Sequence, residues 1–343
     1  MTDSALQPPE KSRLSPEFCR QFGRAILLVA ILHLAFQLSI WLPLNWNRTD
    51  RDRDLIVYYD AAMRLKNGEA LYQLWPGYTP ALLPTRFFYP PPFLLLARPL
   101  VELPFLWFCR VWYTLLLLGF WTYAATLGKL ASGKWSWRPT LIAGLAIGLY
   151  PPTYVALGFG NFEPVMWACY GLAFSTRFRA VPLAFAAMMK LHPIWALFLV
   201  IQNEGKRAFL SASTILAIGF GLGIWLCGVQ NALQWWPATS TVVSQGTFFD
   251  GNVSISFAVL RILRLLGWNY AGGPLPVWAR AYLSLTALLA PLLTVVLSRK
   301  KPLELRLALT ASATILFSPL CWTMYIPLLF APAAIWYRQK TRA

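Results

Sequence analysis

The sequence predicts an all-α membrane protein, a polytopic bundle of transmembrane helices, and three observations predict it. Of 343 residues, 57% are hydrophobic and only 13% charged, whereas soluble domains carry about 25% charged residues. Uncharged stretches recur along the chain, many of them long enough for the roughly 20 apolar residues that a crossing helix needs. Seventeen tryptophans and 14 tyrosines can furnish the aromatic belts at the two membrane interfaces. Isolated strands leave backbone groups unpaired in lipid, so these stretches read as helices.

In chain order, residues 1–21 read as an N-terminal tail, with Pro8, Pro9, Lys11, Arg13 and Arg20. The first crossing falls in 25–47. It is long and lacks a small-residue cleavage site, which marks an uncleaved helix rather than a signal peptide. Further uncharged stretches occupy 111–128, 139–162, 191–203, 208–249, 281–298 and 307–337. Ser318-Pro319 interrupts the last of them, which predicts two short crossings joined by a tight turn. The expectation is one domain over 22–337 with about 8 to 10 membrane segments, followed by a second tail at 338–343.

Segments 87–103 and 180–202 are ambiguous, and charge placement arbitrates. If 87–103 lies on the interface without crossing, and 180–202 rises to Lys190-Leu191-His192-Pro193 and turns back, the dense basic clusters share one side. That side then holds 18 of the 30 basic and 5 of the 13 acidic residues, a net +13, against +3 on the other side. The positive-inside rule makes the first side cytoplasmic. Two long extracytoplasmic connections follow, at about 45–103 and 230–279, and connections of such length are usually functional or disordered. Their Trp, Tyr and Pro content favours order.

The net charge of +17 does not indicate nucleic acid, because the basic residues lie in short clusters beside apolar stretches, as topology signals do. Cys19, Cys109, Cys169, Cys227 and Cys321 are scattered and odd in number, with neither a disulfide framework nor zinc-ligand spacing. Two histidines, His33 and His192, exclude a His-rich metal centre.

The densest polar segment runs from Asp50 to Gly68, and a helix starting near Asp52 to Asp54 would carry carboxylates at its positive end and stop at Asn67-Gly68. Leu55, Tyr58, Tyr59, Ala62 and Leu65 then share one apolar face. Taken alone, the acids from Asp50 to Asp54 are equally a cap and a solvated charge cluster.

Several motifs occur in order: the D-x-x-V-Y-Y-x-A-A stretch from Asp54 to Ala62, Gly68-Glu69-Ala70-Leu71-Tyr72, and Tyr89-Pro90-Pro91-Pro92-Phe93. Gly158-Phe159-Gly160-Asn161, Lys190-Leu191-His192-Pro193, Asn252-Val253-Ser254 and Ser318-Pro319-Leu320-Cys321-Trp322 follow. In order and spacing the set resembles glycosyltransferase family 87 over roughly residues 54–330. That resemblance implies a GT-C-like fold and transfer of a sugar, mannose foremost, from a polyprenyl-phosphate donor to a lipid-linked or cell-envelope acceptor, with no cofactor. Where such proteins often have a histidine after Ser-Pro-x-x-Trp, this chain has Thr323-Met324-Tyr325, and it is short for the family.

Inverting glycosyl transfer needs a base for the acceptor hydroxyl. The resemblance places Asp54 in that role, with Asp52 as its nearer rival and Glu163 and Asp250 as more distant ones. Asp60 would project about 240° further round the helix. Lys190 is the only basic residue in its apolar stretch and a candidate for the donor phosphate, its alternative being to snorkel to the interface. His192 either joins Lys190 at the phosphate or hydrogen-bonds within the turn. Tyr58, Tyr89, Trp322 and Tyr325 are candidates for a sugar platform, and Asn252 for a substrate contact. Arg261 and Arg264 suit lipid head groups, and His33 suits a structural role.

A divalent ion stays open, although no acid spacing matches a dedicated site. Two other classes stay open as well. A transporter or flippase would show paired broken helices in two related halves, and a noncatalytic relative would serve as a scaffold.

Overall fold

The computed structural model describes residues 15–48, 54–72, 87–244, 252–268 and 275–342. Every regular element in them is helical. Among the described residues, extended chain pairs only in an isolated antiparallel bridge between Asn252 and Trp322.

The first span is α1 (Pro16–Phe36), a π-helical turn at Gln37–Trp41, and α2 (Leu42–Trp46). The Ser15 hydroxyl caps it, accepting the Phe18 N–H at 3.1 Å, and Glu17 complements the positive end. The wide turn coincides with a buried polar network. Gln37 is wholly buried and its amide oxygen accepts the Trp121 Nε1–H at 2.8 Å. One turn earlier His33 Nε2 meets the Tyr154 hydroxyl at 2.6 Å. His33 thereby ties the first span to its neighbours.

A short helix α3 (Asp54–Lys66) follows, and then the 87–103 segment. The latter contains a 3₁₀ turn at Pro91–Phe93, α4 (Leu94–Ala97) and a second 3₁₀ turn at Pro99–Glu102. Pieces of three or four residues cannot cross a bilayer. Glu102 closes it by accepting from Lys66 at 2.8 Å and from Arg98.

The long helix α5 (Phe105–Ser132) is the axis of the bundle, with Trp112, Tyr113, Phe120 and Tyr123 fully buried. Helix α8 (Glu163–Ser175) lies directly against it at Gly119, where an added Cβ would come 2.8 Å from the Pro164 carbonyl. Small residues permit such backbone approach where lipid supplies no hydrophobic drive. Between them, α6 (Trp137–Gly148) and α7 (Pro151–Gly158) form a pair bent by 86°. The consecutive prolines 151 and 152 explain why 139–162 is not one helix.

Helices α9 (Ala180–Met189) and α10 (Ile194–Glu204) form a hairpin. Its two open ends are joined by Arg179 and Glu204 at 3.0 Å, so the chain does turn back at Lys190–Pro193. The remaining helices are α11 (Lys206–Cys227), α12 (Val229–Ser244), α13 (Ile255–Leu265), α14 (Val277–Leu297), α15 (Leu303–Leu316) and α16 (Phe330–Arg342). A 3₁₀ segment at Thr323–Leu329 leads into α16, so the 307–337 stretch is indeed broken after Leu316.

Among the described residues four segments are long and apolar enough to cross a membrane: Glu17–Trp46, Phe105–Ser132, Lys206–Cys227 and Val277–Leu297. The bent α6–α7 pair counts as a fifth if it forms one span. Apolar side chains such as Leu32, Ile218, Trp225, Leu285 and Leu293 stand exposed on these helices, a surface that water would penalise and lipid accepts. Beside the about 8 to 10 segments expected from the sequence, the described residues hold these four or five of spanning length and composition, and α8, α9, α10, α15 and α16 as helices of 10 to 14 residues.

Candidate active site

Helix α3 begins at Asp54 and buries Leu55, Tyr58, Ala61 and Ala62. It stops as its Asn67-Gly68 pair dictates. Gly68 adopts φ +73°, the Glu69 N–H reaches the Arg64 carbonyl at 2.8 Å, and the Gly68 N–H reaches Leu65 at 3.2 Å, a Schellman closure.

The start of α3 rests on the loop between α7 and α8. Three successive carbonyls of that loop each accept a bond: Gly158 from the Tyr113 hydroxyl at 3.0 Å, Phe159 from the Leu55 N–H at 3.1 Å, and Gly160 from Trp112 Nε1–H at 2.8 Å. Gly160 has φ +71°, and a Cβ there would sit 2.6 Å from the Leu55 Cβ. Both the dihedral and the contact require glycine. Gly160→Ala is therefore expected to cost about 1–3 kcal/mol of stability and most of the activity, because the helix carrying Asp54 must shift. Thermal unfolding of the purified protein and an activity assay check the two effects separately.

From this loop a continuous polar chain runs through the bundle. Asn161 Nδ2 donates to Asp54 Oδ2 at 2.6 Å, and Asn161 Oδ1 accepts the Glu163 N–H at 3.0 Å. Glu163, wholly buried at the first position of α8, accepts a charge-assisted bond from Lys190 at the end of α9. Each charge sits at the helix end whose dipole favours it. The Lys190 ammonium lies 3.4 Å from the Tyr325 hydroxyl and 5.1 Å from the ring centres of both Tyr89 and Tyr325, within cation–π range. His192 stacks on Tyr170 and contacts the Tyr325 ring, and its Nδ1 meets the Tyr170 hydroxyl at 2.9 Å.

Two buried atoms of this network, Glu163 Oε2 and His192 Nε2, have no hydrogen-bond partner among the described residues. Such orphans are rare in folded proteins and need an explanation. Asp54 is on the connecting helix rather than in a span. Burial pushes its carboxyl above the usual carboxylate range, against the opposing pulls of the Asn161 bond and the Lys190 charge.

The structure brings Asp54, Tyr89, Lys190, His192 and Tyr325 into this one network. Tyr58 is 1% exposed. It stands behind Tyr89, with the two hydroxyls 2.8 Å apart and its ring against Phe93 and Trp112. Tyr89 is held by its backbone, whose carbonyl accepts the Tyr72 hydroxyl at 2.7 Å, while Trp235 binds the preceding Phe88 carbonyl at 3.0 Å.

Asn252 is placed differently from a ligand contact. It is fully buried, donates to the Pro319 carbonyl at 3.1 Å and accepts the Cys321 N–H at 3.0 Å, so it latches 252–254 to the 319–322 turn. Trp322 is the other half of that bridge. Arg261 and Arg264 ride on α13, which packs with α14 in a separate apolar cluster. Asp52 and Asp250 lie outside the described residues.

Sequence reading alone treated Glu163 only as a remote rival base and gave Asn161 no role. A signal for the first existed. Glu163 is the only acid between Glu102 and Glu204, and Lys190 the only base between Arg179 and Lys206. Two lone opposite charges in apolar stretches are best satisfied by each other.

Among the described residues no group of three or more His, Cys, Asp or Glu side chains is arranged to hold a metal ion, and none of the five cysteines is in a disulfide. A separate groove of about 750 Å³ opens on the other face of α5, lined by Trp46, Trp107, Arg110 and Leu118, and shares no residue with this network.

No curated protein and no solved structure matches the chain. The family model of glycosyltransferase family 87 matches residues 87–319, which span Tyr89, Asn161, Glu163, Lys190, His192 and Asn252, with Asp54 upstream and Tyr325 downstream of the match. Taken with the all-helical architecture and the apolar spans, this match establishes that the chain belongs to glycosyltransferase family 87.

Proposed function

We propose that the protein is a GT-C-type integral-membrane mannosyltransferase. It takes mannose from a polyprenyl-phosphate donor and delivers it to a lipid-linked or cell-envelope acceptor at the extracytoplasmic face of the cytoplasmic membrane. The observation that carries this reading is the placement of the half-buried Asp54 carboxylate, held by Asn161, in the same polar network as the Lys190 ammonium.

In the proposed reaction, the Asp54 carboxylate removes the acceptor hydroxyl proton as that oxygen attacks the anomeric carbon. The bond from the anomeric carbon to the phosphate oxygen breaks, and its electron pair leaves on polyprenyl phosphate. Growing charge on the leaving group calls for an aimed cation. An ammonium has three donors. Glu163 and Tyr325 engage two on Lys190, and the third is assigned to the phosphate. Tyr89 and Tyr325 flank that ammonium and supply faces for the sugar. His192 Nε2, buried and without a hydrogen-bond partner among the described residues, is assigned to a polar group of the donor. Tyr58 supports Tyr89, and Asn252 holds the turn that carries Trp322 and leads to Tyr325.

The test is donor consumption. Membranes containing the protein, supplied with labelled polyprenyl-phosphate mannose, are expected to yield a mannosylated product and free polyprenyl phosphate. Turnover of a different polyprenyl-phosphate sugar, arabinofuranose for example, would overturn the choice of mannose. Movement of intact donor across vesicles without product would replace the transferase reading with a flippase.

A further inference from the structure

We infer that Asn161 is the positioning residue of the base: it fixes which Asp54 oxygen meets the acceptor and holds the carboxylate in its ionised form. The inference rests on Asp54 being the base, as proposed above.

A carboxamide has two ends that are nearly the same shape but opposite in hydrogen-bonding character. At Asn161 the backbone decides which end points where. The Glu163 N–H is a donor at the start of α8, 3.0 Å from Asn161 Oδ1, and a donor can be met only by the oxygen. The NH₂ end is thereby turned to Asp54, and it donates to Oδ2 at 2.6 Å.

Asn161 itself has little freedom. It is 7% exposed, its N–H is bonded to the Ala156 carbonyl at 2.9 Å, and it follows Gly160, whose own carbonyl is held by Trp112. The side chain is therefore preorganised on helix ends rather than on a loose loop. Oδ2 of Asp54 is occupied, and Oδ1, which takes no hydrogen bond from the described residues, is the oxygen assigned to the acceptor hydroxyl.

The same bond has an energetic consequence. A donor to a carboxylate stabilises the charged form, and such bonds are stronger than neutral ones. Burial acts on Asp54 in the opposite direction. Without Asn161, the base would remain protonated to higher pH.

The experiment is the pH dependence of kcat/KM for donor consumption in Asn161→Ala and Asn161→Asp. Removing the donor should move the acid limb of the Asn161→Ala profile upward by about one pH unit, with kcat at neutral pH reduced about 10- to 100-fold through the lost orientation. Asn161→Asp keeps the shape but sets a second carboxylate against Asp54, so its acid limb should move further up. Because it is isosteric, it decides the matter if Asn161→Ala does not fold.

An acid limb at the wild-type position in the folded variants would overturn the inference, whatever happens to the rate. That outcome is distinct from failure of the base assignment, which would show as undiminished turnover in Asp54→Asn.

Discussion

Asp54→Asn is expected to lower turnover by about 10²- to 10⁴-fold, the range that a positioned general base contributes, while leaving the protein folded. The carboxamide has the same shape and its oxygen can still accept from Asn161 Nδ2, so the bond at 2.6 Å has a replacement. What it cannot do is take a proton. Its effect on stability also has a sign. Burial raises the Asp54 carboxyl above its usual range, which means that the fold disfavours the ionised form. A neutral side chain relieves that penalty, so the melting temperature should stay level or rise slightly. In the wild type the same direction fixes the acid limb of kcat/KM. Activity should fall, as pH is lowered, at a higher pH than an ordinary aspartate near 3.9 would give. Turnover in Asp54→Asn equal to wild type would remove Asp54 from the chemistry.

The largest stability effect is expected at Glu163. Glu163→Ala leaves the Lys190 ammonium buried without its carboxylate, and breaking one side of a buried pair costs about 3–5 kcal/mol. The position is wholly buried, so water cannot readily take over the role. Replacing both partners with apolar residues of similar volume, Glu163→Leu with Lys190→Met, should recover most of that stability, because no stranded charge remains. Activity should not recover. Thermal unfolding of wild type, Glu163→Leu, Lys190→Met and the double variant in one detergent, read as a double-mutant cycle, separates the two effects. Full activity in the stable double variant would reduce the pair to a structural one and withdraw Lys190 from the proposed phosphate contact.

Much of this architecture was legible in the sequence because its signals are local. The start of α3 at Asp54 and its end at Asn67-Gly68 follow from helix-end chemistry within a few residues. The hairpin at Lys190–Pro193 is the exception, since it follows from the side on which the basic clusters fall along the whole chain, and the Arg179–Glu204 pair bears it out. Segment length was harder to read. Apolar composition looks alike in a full crossing and in a helix of 10 residues such as α9, so the number of spans was not fixed by hydropathy.

The site was legible only in part. Lys190 stood out as an isolated charge, but its contact with Glu163 joins the start of one helix to the end of another, and no local pattern carries such a pairing. Asn161 was hidden for a different reason. Its role depends on a backbone N–H two residues ahead and on a helix over one hundred residues earlier. Asn252 is a different case. A polar residue in a recognisable motif reads as a ligand contact, yet its carboxamide is taken up by backbone groups of the 319–321 turn.

The central claim is that Asp54 and Lys190 serve one donor. The most direct measurement is a structure of the Asp54→Asn protein with polyprenyl-phosphate mannose bound. The account predicts the donor phosphate against the Lys190 ammonium, the sugar between Tyr89 and Tyr325, and the anomeric carbon turned toward residue 54. A donor head group seated away from both Lys190 and residue 54, in the groove lined by Trp46, Trp107 and Arg110 for example, would contradict it.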